Sequence, residues 1–228
     1  MGFFHMNVNS QVSFLSTSYW QQIDFFKNLA PDVIKDILVD AEVIEASPKK
    51  ILFYEGEPTE GFGFVIDGVF KLYRTDSMGR RAITDFISTG ELIAAMLMEN
   101  ENSVYPITVQ AVSFGRFLKI PKSTYINFWS HRPEIIKKIQ CASMVRIQSL
   151  LNMRDTQRLG LEKRIAFVLV KQLAKYAVKN NFLKVYFSRS DIADAIGSAP
   201  ESVIRVFSQW SKDGLIETNN GDEYINLE

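Results

Sequence analysis

The chain has 228 residues, with 26 basic side chains against 26 acidic ones for a formal net charge of +0, and 46% apolar and 23% charged residues. That is the composition of a soluble globular protein with a real core, long enough for one large domain or two modest ones. It excludes a membrane-spanning chain, since no apolar run reaches the ~18–20 residues of a span. A single cysteine, Cys141, also excludes an intramolecular disulfide and any all-cysteine metal or iron–sulfur site within one chain.

The opening MGFFHMNVNSQVSF has neither the basic flank nor the apolar stretch of a secretory signal, so a cytoplasmic location is expected. His5 and His131 lie far apart, without ligand-type neighbours at helical spacing, which argues against a metal or haem site. Residues 1–19 are weakly patterned and read as a loose arm. From Trp20 to Val39, Ile23, Phe25, Phe26 and Leu29 and then Val33, Ile34, Ile37 and Leu38 predict two short helices, the second started by Pro31.

Between Ala41 and Ile120 the period changes. Seven β-prone runs (VIEA, ILFYEG, FGFVIDG, VFKLYR, AITDFI, ITVQAV, GRFLKI) alternate with turns marked by Gly56, Gly61, Gly68, Gly79 and Gly90. They predict a compact antiparallel domain, a roll or a sandwich. From Pro133 the helical pattern returns with no breaker before Gly160, which predicts a helix over 133–159, ~40 Å long. Ile136, Ile139, Ser143, Arg146, Leu150 and Met153 form one stripe, widened by Ile135, Ala142, Val145, Ile147 and Leu151. Two apolar faces suit packing on the β domain and on a partner helix, or burial within one chain. Gly160 is a natural hinge before a further amphipathic helix holding Leu161, Ile165, Ala166, Val168, Leu169, Leu173 and Ala174.

The most specific stretch is FSRSDIADAIGSAPESVIRVFSQWSKDGLIE, residues 187 to 217. Ser188 and Asp191 stand at capping-box spacing, and Gly197 suits a left-handed helix end. Pro200 suits a first helical turn, and Val203, Val206, Phe207 and Trp210 make a one-sided stripe opposite Glu201, Ser202, Arg205, Ser208 and Lys212. Gly214 and Leu215 fit a Schellman ending. This is a helix-turn-helix with a polar edge for a partner, or a plain helical hairpin with a solvated face, where Glu201 and Arg205 are a surface pair worth only ~0.2–0.5 kcal/mol. Asn219, Asn220 and Gly221 turn between two strand-like runs behind it, which completes a winged helix. Charge is unevenly spread. Lys163, Arg164, Lys171, Lys175, Lys179, Lys184 and Arg189 make a basic stretch, and the residues after it are mostly acidic, so phosphate attraction would rest on the first group.

This order of parts resembles the CRP/FNR family of bacterial transcription regulators. PKKILFYEGEPTEGFGFVIDGVFKLYR (48–74) resembles the first half of that family's roll, and SMGRRAITDFISTGELI (77–93) its next hairpin and the start of its phosphate-binding cassette. Residues 188 to 217 resemble its DNA-reading element. The resemblance implies an α+β chain with an N-terminal double-stranded, jelly-roll-like β-roll, a long dimerisation helix and a C-terminal winged helix-turn-helix. Its expected parts are an arm (1–19), an effector domain (20–132), a dimer helix (133–159) and a DNA-binding domain (160–228).

In nucleotide-binding members an Arg-Ser pair of the cassette clamps the cyclic phosphate. Here Gly90, Glu91 and Leu92 keep the first part, but the pair falls on Tyr105 and Pro106, and no arginine or lysine lies from Glu91 to Gln110. A buried phosphate without a cation loses much of its binding energy, so cyclic AMP is not the expected effector. A more apolar small molecule is expected, with Gly90, Glu91, Leu92, Met96, Tyr105, Pro106 and Thr108 lining the pocket and Ser149 of the long helix as a polar contact. Ile107 and Val109 read as core. No cofactor is identified.

In the reading helix Glu201 and Arg205 match family base readers, while Pro200 replaces the first arginine. Ser188, Arg189 and Ser202 match positions that touch phosphate. The resemblance therefore implies an effector-responsive homodimer on palindromic double-stranded DNA, partnered by RNA polymerase if it activates, with no membrane role. A ligand-sensing or protein-binding module whose winged helix has lost DNA binding is the alternative. No Ser-His-Asp, Cys-His, metal or P-loop constellation supports an enzyme, and no catalytic residue is expected.

Overall fold

The structure, a computed structural model, describes residues 17–173, 182–219 and 222–226. Residues 1–16 of the expected arm, Ala174, Lys175 and Lys179 of the helix and basic stretch, and Asn220 and Gly221 of the expected turn lie outside the described residues. The described chain divides into two compact units: one runs up to Phe70 and resumes over Ile87–Ile147, and the other joins Lys71–Phe86 to everything from Gln148 on.

The first unit starts with α1 (Thr17–Trp20) and α2 (Pro31–Ile37). The helix expected from Trp20 to Leu29 is only that single turn of α1, followed by reverse turns in which Phe26 N–H bonds Ile23 O and Leu29 N–H bonds Phe26 O. The reason is burial. Trp20, Ile23, Phe25, Phe26 and Leu29 all face inward, and a one-sided helix would leave some of them in water. Pro31 does open α2, as its fixed φ and missing N–H suggest.

Each of the seven β-prone runs forms a strand: β1 (Glu42–Ala46), β2 (Ile51–Phe53), β3 (Gly61–Asp67), β4 (Phe70–Thr75), β5 (Arg81–Ile87), then β7 (Thr108–Ala111) and β8 (Gly115–Pro121). The strand that sequence pattern missed is β6 (Leu92–Ile93), too short to show a period. Within the first unit an antiparallel sheet runs in the order β1-β8-β3-β6, and β2 pairs with β7. β3 is buried almost throughout and lies against β8 with Phe64 opposite Leu118. Gly63 is required there: a Cβ would sit 1.7 Å from the Leu118 carbonyl oxygen.

One indole organises this unit. Trp129 closes a π-helical turn (Tyr125–Trp129) that follows α3 (Lys122–Thr124), and it is fully buried. Its N–H donates to Ile37 O at 2.8 Å, which satisfies its polar atom inside the core. Its ring stacks on Phe25 at 5.4 Å and meets Phe62 edge-on at 4.7 Å. The long helix, α4 (Pro133–Asp155), then leaves the unit. It stops short of residue 159, giving way to a 3-10 turn over Thr156–Arg158 and an extended Leu159 before Gly160.

The second unit holds the β4–β5 hairpin from Lys71 to Phe86, the end of α4, α5 (Leu161–Leu173), β9 (Phe182–Lys184), α6 (Arg189–Ile196), α7 (Pro200–Lys212), β10 (Ile216–Asn219) and β11 (Asp222–Asn226). α5 packs on both α6 and α7. The expected terminal hairpin is part of a three-stranded sheet ordered β10-β11-β9, because the LKVYF run lies against β11 with Leu183 opposite Ile225. The jelly-roll-like strands, long helix and winged helix-turn-helix are the architecture that the sequence predicts.

Replacing Trp129 by Ala removes the ring stacks, the edge contact and the hydrogen bond to Ile37 at once. It is expected to cost about 3–5 kcal/mol in chemical denaturation. A loss under about 1 kcal/mol would show that the unit is not built on this ring.

Candidate nucleic-acid interface and effector site

In the first unit the cassette begins at a tight turn. Gly90 takes φ 83, a left-handed value that side chains resist, and its N–H bonds Val65 O at 2.8 Å. The turn aims the Glu91 carboxylate back at Ser88, whose N–H and Oγ donate to Oε2 at 2.8 and 3.2 Å. The other oxygen, Oε1, faces Arg146 of α4 at 3.4 Å, and the same guanidinium reaches Leu92 O at 3.5 Å. Both side chains are about three-quarters buried. A carboxylate held this way is already hydrogen-bonded and charge-balanced by its own chain.

Arg146 is the residue that sequence reasoning left out of the site. The cassette does lack a cation from Glu91 to Gln110, and the helix supplies one from outside that window. The signal was present: an arginine within a largely apolar helical stripe. Ser143, one turn earlier, places its Oγ 3.5 Å from Met96 Sδ while donating to Ile139 O. Gly90, Glu91, Leu92 and Met96 are thus joined with Ser143 and Arg146.

Tyr105 and Thr108 are both buried, each with its hydroxyl bonded to backbone elsewhere in the unit. The Tyr105 hydroxyl donates to Gly61 O at 2.7 Å and accepts the Gly61 and Glu60 N–H groups, and its ring stacks on Phe53 at 4.5 Å. Burial pushes this phenol above its ordinary pKa despite the two backbone donors that lower it. Its polar capacity is spent on the strand beneath it. Thr108 is likewise buried, its Oγ1 accepting from Glu55 N–H at 3.1 Å. Pro106 is exposed, and Val109 is core as expected, with Ile107 half-buried. Ser149 is half-buried with a hydroxyl that has no partner in the structure.

In the second unit the helix ends are built as the sequence predicts. Ser188 Oγ accepts the Asp191 N–H at 3.1 Å while Asp191 Oδ2 accepts the Ser188 N–H at 3.4 Å, a reciprocal capping box. α6 ends on Gly197 at φ 63, and Pro200 starts α7. At the far end Leu215 N–H reaches Trp210 O at 2.8 Å and Gly214 N–H reaches Ser211 O at 3.3 Å, the paired bonds of a Schellman motif. Arg164 of α5 donates to Ile196 O at 2.8 Å, placing a cation on the negative end of α6.

α7 turns one face inward. Val203, Val206 and Phe207 are buried, while Glu201, Arg205, Ser208 and Lys212 are exposed and Ser202 and Pro200 are half-exposed. Glu201 and Arg205 form no ion pair with each other, so the surface-pair reading of this stretch has no bond to rest on. Arg189 does not stand free as a phosphate contact. Its guanidinium lies 3.5 Å over the Phe207 ring and pairs with Glu223 of β11. Ser188 is likewise engaged by the capping box. Lys184 pairs with Asp222, which raises the lysine pKa.

The hairpin side of this unit holds a buried ion pair, Lys71 with Asp191, beside Phe86 stacked on Phe187 at 3.8 Å between ring centres. Asp194, one turn along α6, sits in the same place. Burial first, and then the Asp191 charge, raise its pKa above the ordinary 3.8, against the lowering pull of Lys71 and Arg81. Among the described residues no group of three or more His, Cys, Asp or Glu could hold a metal ion, and no helix is long and apolar enough to cross a membrane.

Two family models match the chain: a cyclic nucleotide-binding domain over residues 43–132 and a Crp-like helix-turn-helix domain over residues 163–228. The chain is 28% identical over 185 residues to the nitrogen fixation regulation protein FixK of Bradyrhizobium diazoefficiens, covering 78% of this chain and 75% of that one. It is 26% identical over 204 residues to the transcriptional activator protein FnrA of Stutzerimonas stutzeri, covering 85% and 80%. Among solved structures it resembles FixK2 from Bradyrhizobium japonicum, with a TM-score of 0.72 at 19% identity over 83% of this chain and 94% of that one. It also resembles the c-di-GMP responsive regulator CLP of Xanthomonas campestris, with a TM-score of 0.71 at 16% identity over 86% and 99%. These last two likenesses speak to the fold.

The raised Asp194 pKa has a consequence for stability. Because its carboxyl holds a proton more tightly in the folded state, its contribution is fully present below pH 3.8 and is lost as pH rises through the raised folded value. Asp194→Asn is therefore expected to raise the melting temperature at neutral pH and to leave it unchanged at acid pH. An equal gain at both would refute the carboxylate as its source.

Proposed function

The chain belongs to the CRP/FNR family of transcription regulators, and from that membership we propose that it reads palindromic double-stranded DNA as a homodimer and answers to a small molecule bound in the β-roll. The observation that carries the DNA reading is the outward face of α7, where Glu201 and Arg205 are both exposed one turn apart and both without an ion-pair partner among the described residues. An arginine fork matches guanine O6 and N7, and a carboxylate accepts from cytosine N4. Ser202 and Lys212 on the same face suit phosphates. Pro200 offers no such group, so the half-site differs from one read by an arginine at that position.

The homodimer reading is supported by α4, which exposes Met144, Val145, Ile147, Leu150 and Leu151 along its length. Such a stripe is stable in water only when covered, and a second copy of the same helix covers it symmetrically. Two reading helices then address successive major grooves about 34 Å apart. Effector binding acts only as far as the effector prefers the DNA-competent dimer. The relatives named transcriptional activators support contact with RNA polymerase and a regulator rather than an enzyme.

For the effector, the Glu91–Arg146 pair argues against the usual cyclic-nucleotide mode. The nearest cation is already matched by a carboxylate, and a phosphate entering there would have to break that pair without gaining a second arginine. The proposed division is an arm (1–19), an effector domain (20–132), a dimer segment (133–159) whose helix ends at Asp155, and a DNA-binding domain (160–228).

Selection of binding sites from a random duplex pool, followed by gel shifts at several salt concentrations, tests the reading. Binding should weaken steeply with salt. A flat salt response on every duplex would favour a module that has lost DNA binding. Arg205→Ala should cost about 1–3 kcal/mol on the selected site and relax preference at one base pair, with little change on random DNA. Equal loss on both would assign Arg205 to the phosphates. In thermal-shift titrations, micromolar cyclic AMP should leave the melting temperature unchanged, and a saturable rise would overturn the effector reading.

A further inference from the structure

We infer that Glu223 is an internal phosphate mimic that holds Arg189 and sets how tightly the wing side of this interface grips any DNA backbone. The inference rests on the DNA-binding reading and adds to it a residue that faces no base. Glu223 is the second residue of β11, its own carbonyl accepting the Val185 N–H at 2.8 Å and its Cα opposite Thr218 of β10. Strand pairing on both sides thus fixes where its carboxylate points. That carboxylate meets Arg189, at the first turn of α6, whose guanidinium also covers the Phe207 ring of α7. One cation therefore ties together the wing, the reading helix and the helix before it.

The same residues line a groove between α7 and the wing: Arg189, Phe207, Ser208, Ser211, Lys212 and Glu223, with Ile204 at its edge. Two cations and the Ser211 hydroxyl are what a phosphate binds, while the Ser208 hydroxyl donates to Ile204 O. Glu223 is the one acid among them. A backbone phosphate entering the groove must compete with it for Arg189. That competition is independent of sequence, since every duplex brings the same phosphates. Glu223 should thus lower affinity for cognate and random DNA by the same factor. Arg205, on the outer face, sets the ratio between them. A regulator facing a genome of competing sites gains from such restraint on its unselective binding.

The test compares the full chain with Glu223→Gln, Glu223→Asp, Arg189→Met and the Glu223→Gln/Arg189→Met double variant, on a selected palindromic duplex and on random duplexes. Glu217→Gln, which removes an exposed wing acid outside the groove, is the control for charge alone. Glu223→Gln should tighten both duplexes about three- to fivefold and steepen the salt slope by about 0.9, one further phosphate contact. In the Arg189→Met background the gain should vanish. Glu223→Asp keeps the net charge but withdraws it by one methylene, so a smaller gain in the same direction is expected. It also serves as the second variant should Glu223→Gln fold poorly, which thermal melting reads.

An equal gain from Glu217→Gln, or a gain that survives Arg189→Met, would reduce the effect to bulk charge and overturn the inference. So would unchanged or weaker binding by Glu223→Gln with unaltered melting. If the wild-type chain and every variant bind no duplex at any salt, the DNA-binding reading itself falls. Salt-sensitive wild-type binding with a silent Glu223→Gln removes only the latch.

Discussion

Asp191 stands at the first turn of α6 with its carboxylate nearly out of water, where a lone charge is not tolerated. Three groups from two residues make it tolerable. Ser188 donates its hydroxyl to Oδ2, the backbone at Ser188 lies at 3.4 Å, and Lys71 of β4 supplies the opposite charge. The first two belong to local chain geometry and cap the helix. The third comes from 120 residues away and decides where the capped helix can sit. Removing one partner of such a pair leaves the other buried and uncompensated, at about 3–5 kcal/mol, whereas an apolar pair of the same shape would be no less stable. The pair is therefore better understood as fixing one arrangement than as adding stability. Phe86 on Phe187 reinforces it with an apolar contact between the same two segments.

Everything in the second unit follows from how α6 is held. Its far end is closed by Gly197 and by Arg164 on the Ile196 carbonyl, so the helix is fixed at both termini. The short turn to Pro200 then leaves α7 little choice of direction, and its buried stripe of Val203, Val206 and Phe207 fixes its rotation. Rotation is what exposes Glu201 and Arg205. The same economy holds in the first unit, where Gly90 aims Glu91 at Ser88 and Arg146 completes the charge balance from α4. In both units a carboxylate is capped locally and neutralised by a cation from a distant element.

The local half of each arrangement was legible in the sequence and the distant half was not. Ser188 with Asp191, Gly197, Pro200 and Gly214 with Leu215 carry their geometry in their spacing, because capping and Schellman bonds span three to five residues. The seven strands showed through alternation and glycine punctuation. Trp20 to Leu29 misled because an apolar cluster satisfies helical spacing and a run of inward turns alike. The bonds of the Tyr105 hydroxyl to Gly61 and Glu60, more than forty residues earlier, were likewise not legible in the sequence. Arg146, Lys71 and Glu223 were invisible as partners for the same reason. An ion pair between distant segments leaves no periodicity, and an arginine within an apolar stripe is the only mark that any of them left.

The zero net charge is then less of an obstacle to DNA binding than it first appears. Arg164, Lys184 and Arg189, three members of the basic stretch, are taken up by Ile196 O, Asp222 and Glu223. Two of the acids that follow the reading helix in sequence, Asp222 and Glu223, are thus partners of basic residues that precede it. Charge that pairs internally contributes little field at the distance of a duplex, because the two signs cancel beyond a few ångströms and salt screens the remainder. On α7 itself Arg205 and Lys212 are exposed. A surface of this kind is attracted to nucleic acid weakly as a whole and strongly at a few points. Such a surface separates one duplex from another by what its bases offer, since the backbone offers every duplex alike.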